Sequence, residues 1–251
     1  MLYINETHIG FYILAAIVGL FVGEFIDWMN QRLPEYKKVF TKELFAKNRV
    51  DFKPNYILMI ITSIIYILLL YRYGIQDTFI GNLVLIKYLI LTPMLISAFV
   101  IDYRLQIIPN RLNLTMAEIG MVIAFLYGIS NVAITIDMLL GMLVGAGIFF
   151  LITAIGALIY GKEALGLGDV KLMGALGLYF GFSNIIIIAM ISFLIGAIIG
   201  IILIAGKIKK SDEYIPFGPF IVIATFISMF VPFNILVSIL MTIFTLGMYK
   251  G

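Results

Sequence analysis

The sequence predicts an all-α, polytopic membrane bundle of about eight transmembrane helices, and three observations carry that reading. Hydrophobic residues make up 63% of the 251 residues and charged residues 12%, whereas soluble domains are about half apolar and about a quarter charged; mean hydropathy is +1.12. Apolar runs of span length recur along the whole chain, at 9–28, 56–71, 83–101, 112–130, 137–160, 170–182, 184–206 and 216–249. Finally, the lysines and arginines are concentrated in alternate connectors between those runs.

A membrane-crossing helix needs roughly 20 apolar residues. The first run, Ile9 to Ile26, reads as a retained signal-anchor helix: Asn5, Glu6 and Thr7 stand where a cleavable signal has a basic region, and no A-x-A-like site follows. Six further runs are single-helix candidates by length, with 170–182 short and dependent on its flanks. The last run is too long for one span, and Pro232 is placed to break or kink it, so nine spans is the alternative to eight. The one sizeable extramembrane piece is the basic stretch 30–55, of some amphipathic character. The chain therefore divides into a first transmembrane helix over 1–29, a cytoplasmic loop without zinc ligands over 30–55, and a membrane core over 56–251.

The basic residues set the orientation, because cytoplasmic connectors are enriched in Lys and Arg. Arg32, Lys37, Lys38, Lys42, Lys47, Arg49 and Lys53 fall in 30–55, Arg104 and Arg111 in 102–111, Lys162 and Lys171 in 161–171, and Lys207, Lys209 and Lys210 in 206–215. The opposite connectors hold Arg72 and nothing else basic in 128–136 or around Ser183. This predicts an N-terminus outside and basic loops in the cytoplasm. The same assignment puts Asp102, at the end of the third span, and Asp169, at the start of the sixth, on one face of the membrane.

Composition excludes several chemistries. With no Cys and one His (His8), the chain cannot build a disulfide framework, a thiolate nucleophile or a Cys/His metal site, and a Ser/His/Asp triad is nearly excluded. A net charge of +3 points to no nucleic acid, and the basic 30–55 loop is expected to face anionic lipid. What remains is carboxylate chemistry. Ionisable groups at the edge of hydrocarbon are costly unless paired, hydrated or used. Two carboxylates sharing a site cannot both ionise cheaply, so one stays charged and can take a proton from water while the other, protonated, can donate to a carbonyl.

Each aspartate also has a plain structural reading. Asp169 follows Gly166-Leu167-Gly168 and precedes an apolar run, the setting of a helix N-cap. Asp102 is placed to pair with Arg104 or to be hydrated, and the Ile107-Ile108-Pro109-Asn110 stretch after it reads as a turn whose Asn110 caps the fourth helix. Gly141-x-x-x-Gly145 and Gly196-x-x-x-Gly200 permit close helix packing, more often within one chain than between two.

Four segments, in order, resemble the bacterial type IV prepilin peptidases, the GxGD membrane aspartic proteases. GLGDVKLMGALGLYFG is similar to the family's GxGD signature, and DYRLQIIPNRLN to the segment bearing its other catalytic aspartate. GEFIDWMNQRLP at 23–34 resembles GSFLNVxxxRLP, and IPFGPF at 215–220 matches the stretch before a late helix. The resemblance implies an aspartic endopeptidase of the bacterial inner membrane that removes the N-terminal leader of prepilins or pseudopilins at the cytoplasmic face. It puts Asp102 and Asp169 on the catalytic pair and Gly166 and Gly168 on the motif glycines. Pro109, Asn110, Pro216 and Gly218 fall on motif positions without assigned chemistry.

The implied proteolysis uses no cofactor or metal. A second family activity, N-methylation of the product, implies S-adenosylmethionine, but the chain lacks the family's paired CxxC motifs and has Glu24 and Asp27 where the family has Ser and Asn. Those two residues share a helical face and read either as a hydrated helix end or as a site for basic residues of the leader. Other classes remain alternatives: a small proton-coupled transporter using Asp102 and Asp169 as a proton relay, a non-catalytic assembly protein, or an archaeal-type preflagellin peptidase.

Overall fold

The computed structural model describes residues 3–5, 7–39, 41, 54–160, 165–208 and 215–245. Lys42, Lys47, Arg49, Lys53, Lys162, Lys209 and Lys210 therefore lie outside the described residues. A two-residue ribbon, β1 (Tyr3–Ile4) against β2 (Thr7–His8), precedes the helices; the sequence reading did not foresee it. His8 ends the ribbon as the N-cap of α1 (Ile9–Arg32), its Nδ1 accepting from the Gly10 N–H at 3.1 Å.

The predicted all-α membrane bundle follows. After α1 come α2 (Tyr56–Tyr73), α3 (Phe79–Leu105), α4 (Asn110–Ser130), α5 (Val132–Tyr160), α6 (Leu167–Ala205), α7 (Gly218–Phe230) and α8 (Phe233–Phe244). The first six are long and apolar enough to cross a bilayer, so this is a multi-pass membrane protein. Most of the helices outrun the apolar runs that predicted them, because hydrogen bonding carries a helix on into polar sequence; α3 continues through Asp102 and Arg104 to a left-handed C-cap at Gln106.

Two predicted runs, 170–182 and 184–206, form α6, which is interrupted at Gly181 (φ 75°). A residue with a Cβ rarely adopts that conformation. Contacts along α5 show the consequence. Gly145 lies against Met173 O and Ile185, Phe149 stacks near Phe193 at 5.2 Å, and Thr153 Oγ1 reaches Leu165 O at 3.4 Å. One leg (167–180) thus runs against α5 and the other (182–205) runs along with it, as a hairpin with a one-residue turn.

The turn is held by residues the sequence reading passed over. Lys87, the only charged residue in the 83–101 run, donates to Tyr179 O at 2.6 Å, and Asn184 Nδ2 donates to Phe180 O at 3.0 Å. Asp137 accepts from the Phe182 N–H at 3.3 Å. A basic residue thus meets the carbonyl end of one leg and a carboxylate meets the N–H end of the next, as the helix dipoles favour.

The last predicted run divides at Pro232, which lacks an N–H and fixes its own φ. The resulting α7 and α8, of 13 and 12 residues, are each about 20 Å long or less.

Small residues let α5 and α6 touch backbone to backbone. A Cβ on Gly141 would lie 2.5 Å from Gly177 O, and one on Gly145 would lie 2.5 Å from Met173 O, so this pair packs within the chain as expected. Gly200 meets nothing within 4 Å and Gly196 meets only phenylalanine rings, so the second pair makes no such backbone contact. A Cβ on Gly177 would in turn collide with Gly141 C and O. Gly177→Ala is accordingly expected to destabilise the detergent-solubilised protein by about 1–3 kcal/mol, visible as a lowered thermal midpoint. Ala at Gly147, where an added Cβ meets nothing within 4 Å, should leave that midpoint unchanged.

Candidate active site

The residues singled out in the sequence converge on one end of the bundle. There the last turn of α3, the first turns of α4 and α6, and the start of α7 are tied together. Arg111 Nη1 donates to Tyr36 O at 2.7 Å, Lys171 Nζ to Asn110 Oδ1 at 2.8 Å, Asn113 Nδ2 to Gly168 O at 3.0 Å, and the Gly218 N–H to Asp102 Oδ2 at 2.9 Å. The opposite end carries the Gly181 turn, and there Arg72 and Tyr73 donate to Phe230 O and Met229 O.

Asp102 and Asp169 are each only 3% exposed. Asp102 forms no salt bridge with Arg104 among the described residues; its partner is the N–H at the mouth of α7, 116 residues away. The approach is close enough that a Cβ on Gly218 would lie 2.6 Å from Asp102 Oδ2. Pro216 sits in the short non-helical approach to that residue.

Asp169 is the third residue of α6, with Gly166 rather than itself at the N-cap. Its Oδ2 reaches back to accept from the Gly166 N–H at 3.2 Å, so it braces the helix start from the third helical position rather than as the N-cap expected of it, and this occupies one oxygen. Its Oδ1 is buried and has no hydrogen-bond partner among the described residues. Buried polar atoms are nearly always paired, so this oxygen is the one free to meet a water or a substrate.

The glycines and the 107–110 turn shape the wall between these carboxylates. A Cβ on Gly168 would sit 3.2 Å from that of Ile108, so the turn after α3 lies directly against the Gly166–Asp169 turn. Pro109 is the N-cap of α4 and uses no side chain to cap it. Asn110 does not cap, contrary to expectation: it is the first helical residue, and its carboxamide oxygen takes the Lys171 ammonium instead. Asn113, which the sequence reading did not single out, is 4% exposed and holds the Gly168 carbonyl. Its signal was available, since it stands three residues after Asn110 and hence on the same helical face.

At the end of α1, Asp27 is already engaged. Gln31 Nε2 donates to its Oδ2 at 2.7 Å and Asn55 Nδ2 to its Oδ1 at 3.0 Å. It ties the end of α1 to the N-cap residue of α2, which favours the structural reading of this carboxylate over a site for basic residues. Arg32 folds over the Trp28 ring at 3.9 Å and donates to Lys38 O.

Residues 89–201 match the family model described as the type IV leader peptidase family. Over that segment, under half of the chain, the sequence is similar to the type IV leader peptidase family. The family segment includes Asp102, Pro109, Asn110, Gly166, Gly168 and Asp169, while Pro216 and Gly218 lie beyond it. The chain is 32% identical over 141 residues to a protein of Aeromonas hydrophila named prepilin leader peptidase/N-methyltransferase, covering 56% of this chain and 48% of that one. Proteins of the same name from Xanthomonas campestris pv. campestris (32% over 193 residues, 74% and 63% covered) and Neisseria gonorrhoeae (28% over 200 residues, 80% and 65% covered) are also similar. The chain spans about half the length of most of the curated relatives it matches. No solved structure matches it.

Proposed function

We propose that the protein is a membrane-embedded aspartic endopeptidase that cleaves the N-terminal leader of a type IV prepilin or pseudopilin, with Asp102 and Asp169 as the catalytic pair. The observation that carries this reading is the pair itself: two buried carboxylates from different helices, at one end of the bundle, each steadied by one backbone N–H and one of them with an unpartnered oxygen. In the reaction, the ionised carboxylate takes a proton from water as the water oxygen adds to the peptide carbonyl. The protonated carboxyl gives its proton to the carbonyl oxygen. The tetrahedral diol then collapses, the C–N bond breaks, and the departing amine is protonated.

Gly166, Gly168, Pro109, Asn110, Pro216 and Gly218 supply the backbone that frames the pair. The distribution of Lys and Arg supports an N-terminus outside and an active site at the cytoplasmic face of the inner membrane. The proton-relay transporter finds no support among the relatives, which are named as peptidases, and both carboxylates lie at a bundle end rather than at mid-depth.

The relatives' names also include N-methyltransferase. Beside the Gly23–Pro34 segment, the pocket lined by Asp27, Asn30, Gln31 and Arg104 measures about 200 Å³, below the usual range for a ligand site, and Asp27 is fully engaged. The described residues there do not fit S-adenosylmethionine.

The test is to co-express the chain with a prepilin in membranes and weigh the prepilin's N-terminus by mass spectrometry. Removal of the leader is the expected result, and an uncleaved prepilin would sink the peptidase reading. An added methyl mass on the new amine would assign the second activity; an unmodified amine would leave the peptidase alone.

A further inference from the structure

Asn113 stands one step behind the carboxylates. It lies in the first turn of α4, and its Nδ2 donates at 3.0 Å to the carbonyl of Gly168, the residue before Asp169. That carbonyl and the Asp169 N–H belong to one planar peptide unit. The unit is gripped at both ends, because the Asp169 N–H donates to Gly166 O, also at 3.0 Å. Gly166 and Gly168 leave the turn before Asp169 easy to deform, so the bond from α4 fixes what the turn alone would not.

The other end of the same carboxamide is unsatisfied. Asn113 Oδ1 is buried and has no hydrogen-bond partner among the described residues. A buried acceptor without a donor costs stability, and a leucine, with the same branching, would carry no such cost. The carboxamide is therefore a poor device for holding the bundle together. What it does hold is the Gly168 carbonyl.

Resting on the peptidase reading, we propose that Asn113 is a positioning residue of the reaction: through the Gly168–Asp169 peptide it sets where the Asp169 carboxylate stands. It acts through that peptide and not on the reacting atoms. Around it, α6 brings Asp169 and Lys171, the latter on Asn110, and α3 brings Asp102 and Arg104 to the same end of the bundle. The α5 helix brings no charge there, since its one carboxylate, Asp137, meets the Gly181 turn.

The experiment measures prepilin cleavage by the full chain in membranes. Asn113→Leu is expected to lower kcat about 10²-fold, as a displaced catalytic group does, with KM within about twofold and no lowering of the thermal midpoint in detergent. Asn113→Asp gives a second readout. Protonated, its hydroxyl can donate to Gly168 O and the bond survives; ionised, it offers acceptors only and faces that oxygen with a negative charge. Relative to wild type at the same pH, its kcat is expected within about threefold near pH ~5 and at least about tenfold lower near pH ~8, because burial lifts a carboxyl's titration toward that window. Thr115→Val, on the exposed side of the same stretch of α4, should change neither rate nor midpoint. A kcat within about twofold of wild type in Asn113→Leu, or a flat pH ratio in Asn113→Asp, would overturn the proposal while leaving the peptidase intact. If the wild-type protein cleaves no prepilin, the peptidase reading falls and the role of Asn113 with it.

Discussion

Asp169→Asn and Asp102→Asn are each expected to lower prepilin cleavage by about 10³-fold or more, the scale of a lost general acid or base, without lowering the amount of protein in the membrane. The substitution separates the two roles of Asp169. Asparagine retains a carbonyl oxygen able to accept the Gly166 N–H, so the cap on α6 survives. It cannot ionise, and its nitrogen brings donors to the position where Asp169 Oδ1 has no partner. The same holds at Asp102, where the asparagine oxygen still accepts from Gly218. Initial-rate cleavage in membranes, with immunoblots for abundance, checks both; robust cleavage by either variant would remove that residue from the pair.

The second large effect comes from a residue with no chemistry of its own. Gly218→Ala would put a methyl group 2.6 Å from Asp102 Oδ2 and 3.0 Å from its Cγ, and the carboxylate must move. A misplacement of about 1 Å in a catalytic constellation costs about 10²-fold in rate, so kcat is expected to fall by about that factor. Folding should suffer little, because Gly218 opens α7 and alanine is the better helix former by about 1 kcal/mol. A cleavage rate within twofold of wild type, with thermal unfolding unchanged, would show that Gly218 does not set the position of Asp102.

The bundle was legible in the sequence because membrane helices announce themselves by length and apolarity, and Pro232 announced the break between α7 and α8. The ends were less legible. The third apolar run ends at Ile101, one residue short of the aspartate that the last turn of α3 carries. The sequence reading put a connector around Ser183, close to the turn at Gly181. It could not show that one glycine suffices, since Tyr-Phe-Gly-Phe reads as continuous apolar sequence. At the site, Asp102 and Asp169 were visible as ionisable groups in costly places. The long-range bonds around them were not: one from Gly218 to Asp102 and one from Asn113 to the Gly168 carbonyl join segments 116 and 55 residues apart. Lys87 was readable as a lone charge within an apolar run, yet only the turn it holds explains it.

That hairpin turn has a consequence for the depth of the site. The leg that carries Asp169 runs over 167–180, about 20 Å of helix, against a hydrocarbon layer of about 30 Å. A strut pinned at its far end by Lys87, Asn184 and Asp137 cannot lengthen to close that gap. The gap is closed by protein instead: Leu172–Phe180 are buried throughout, so the leg meets neighbouring helices rather than lipid along its length. Asp169 therefore stands at the end of a short strut enclosed by other helices, its depth fixed by the turn at Gly181 rather than by the thickness of the bilayer.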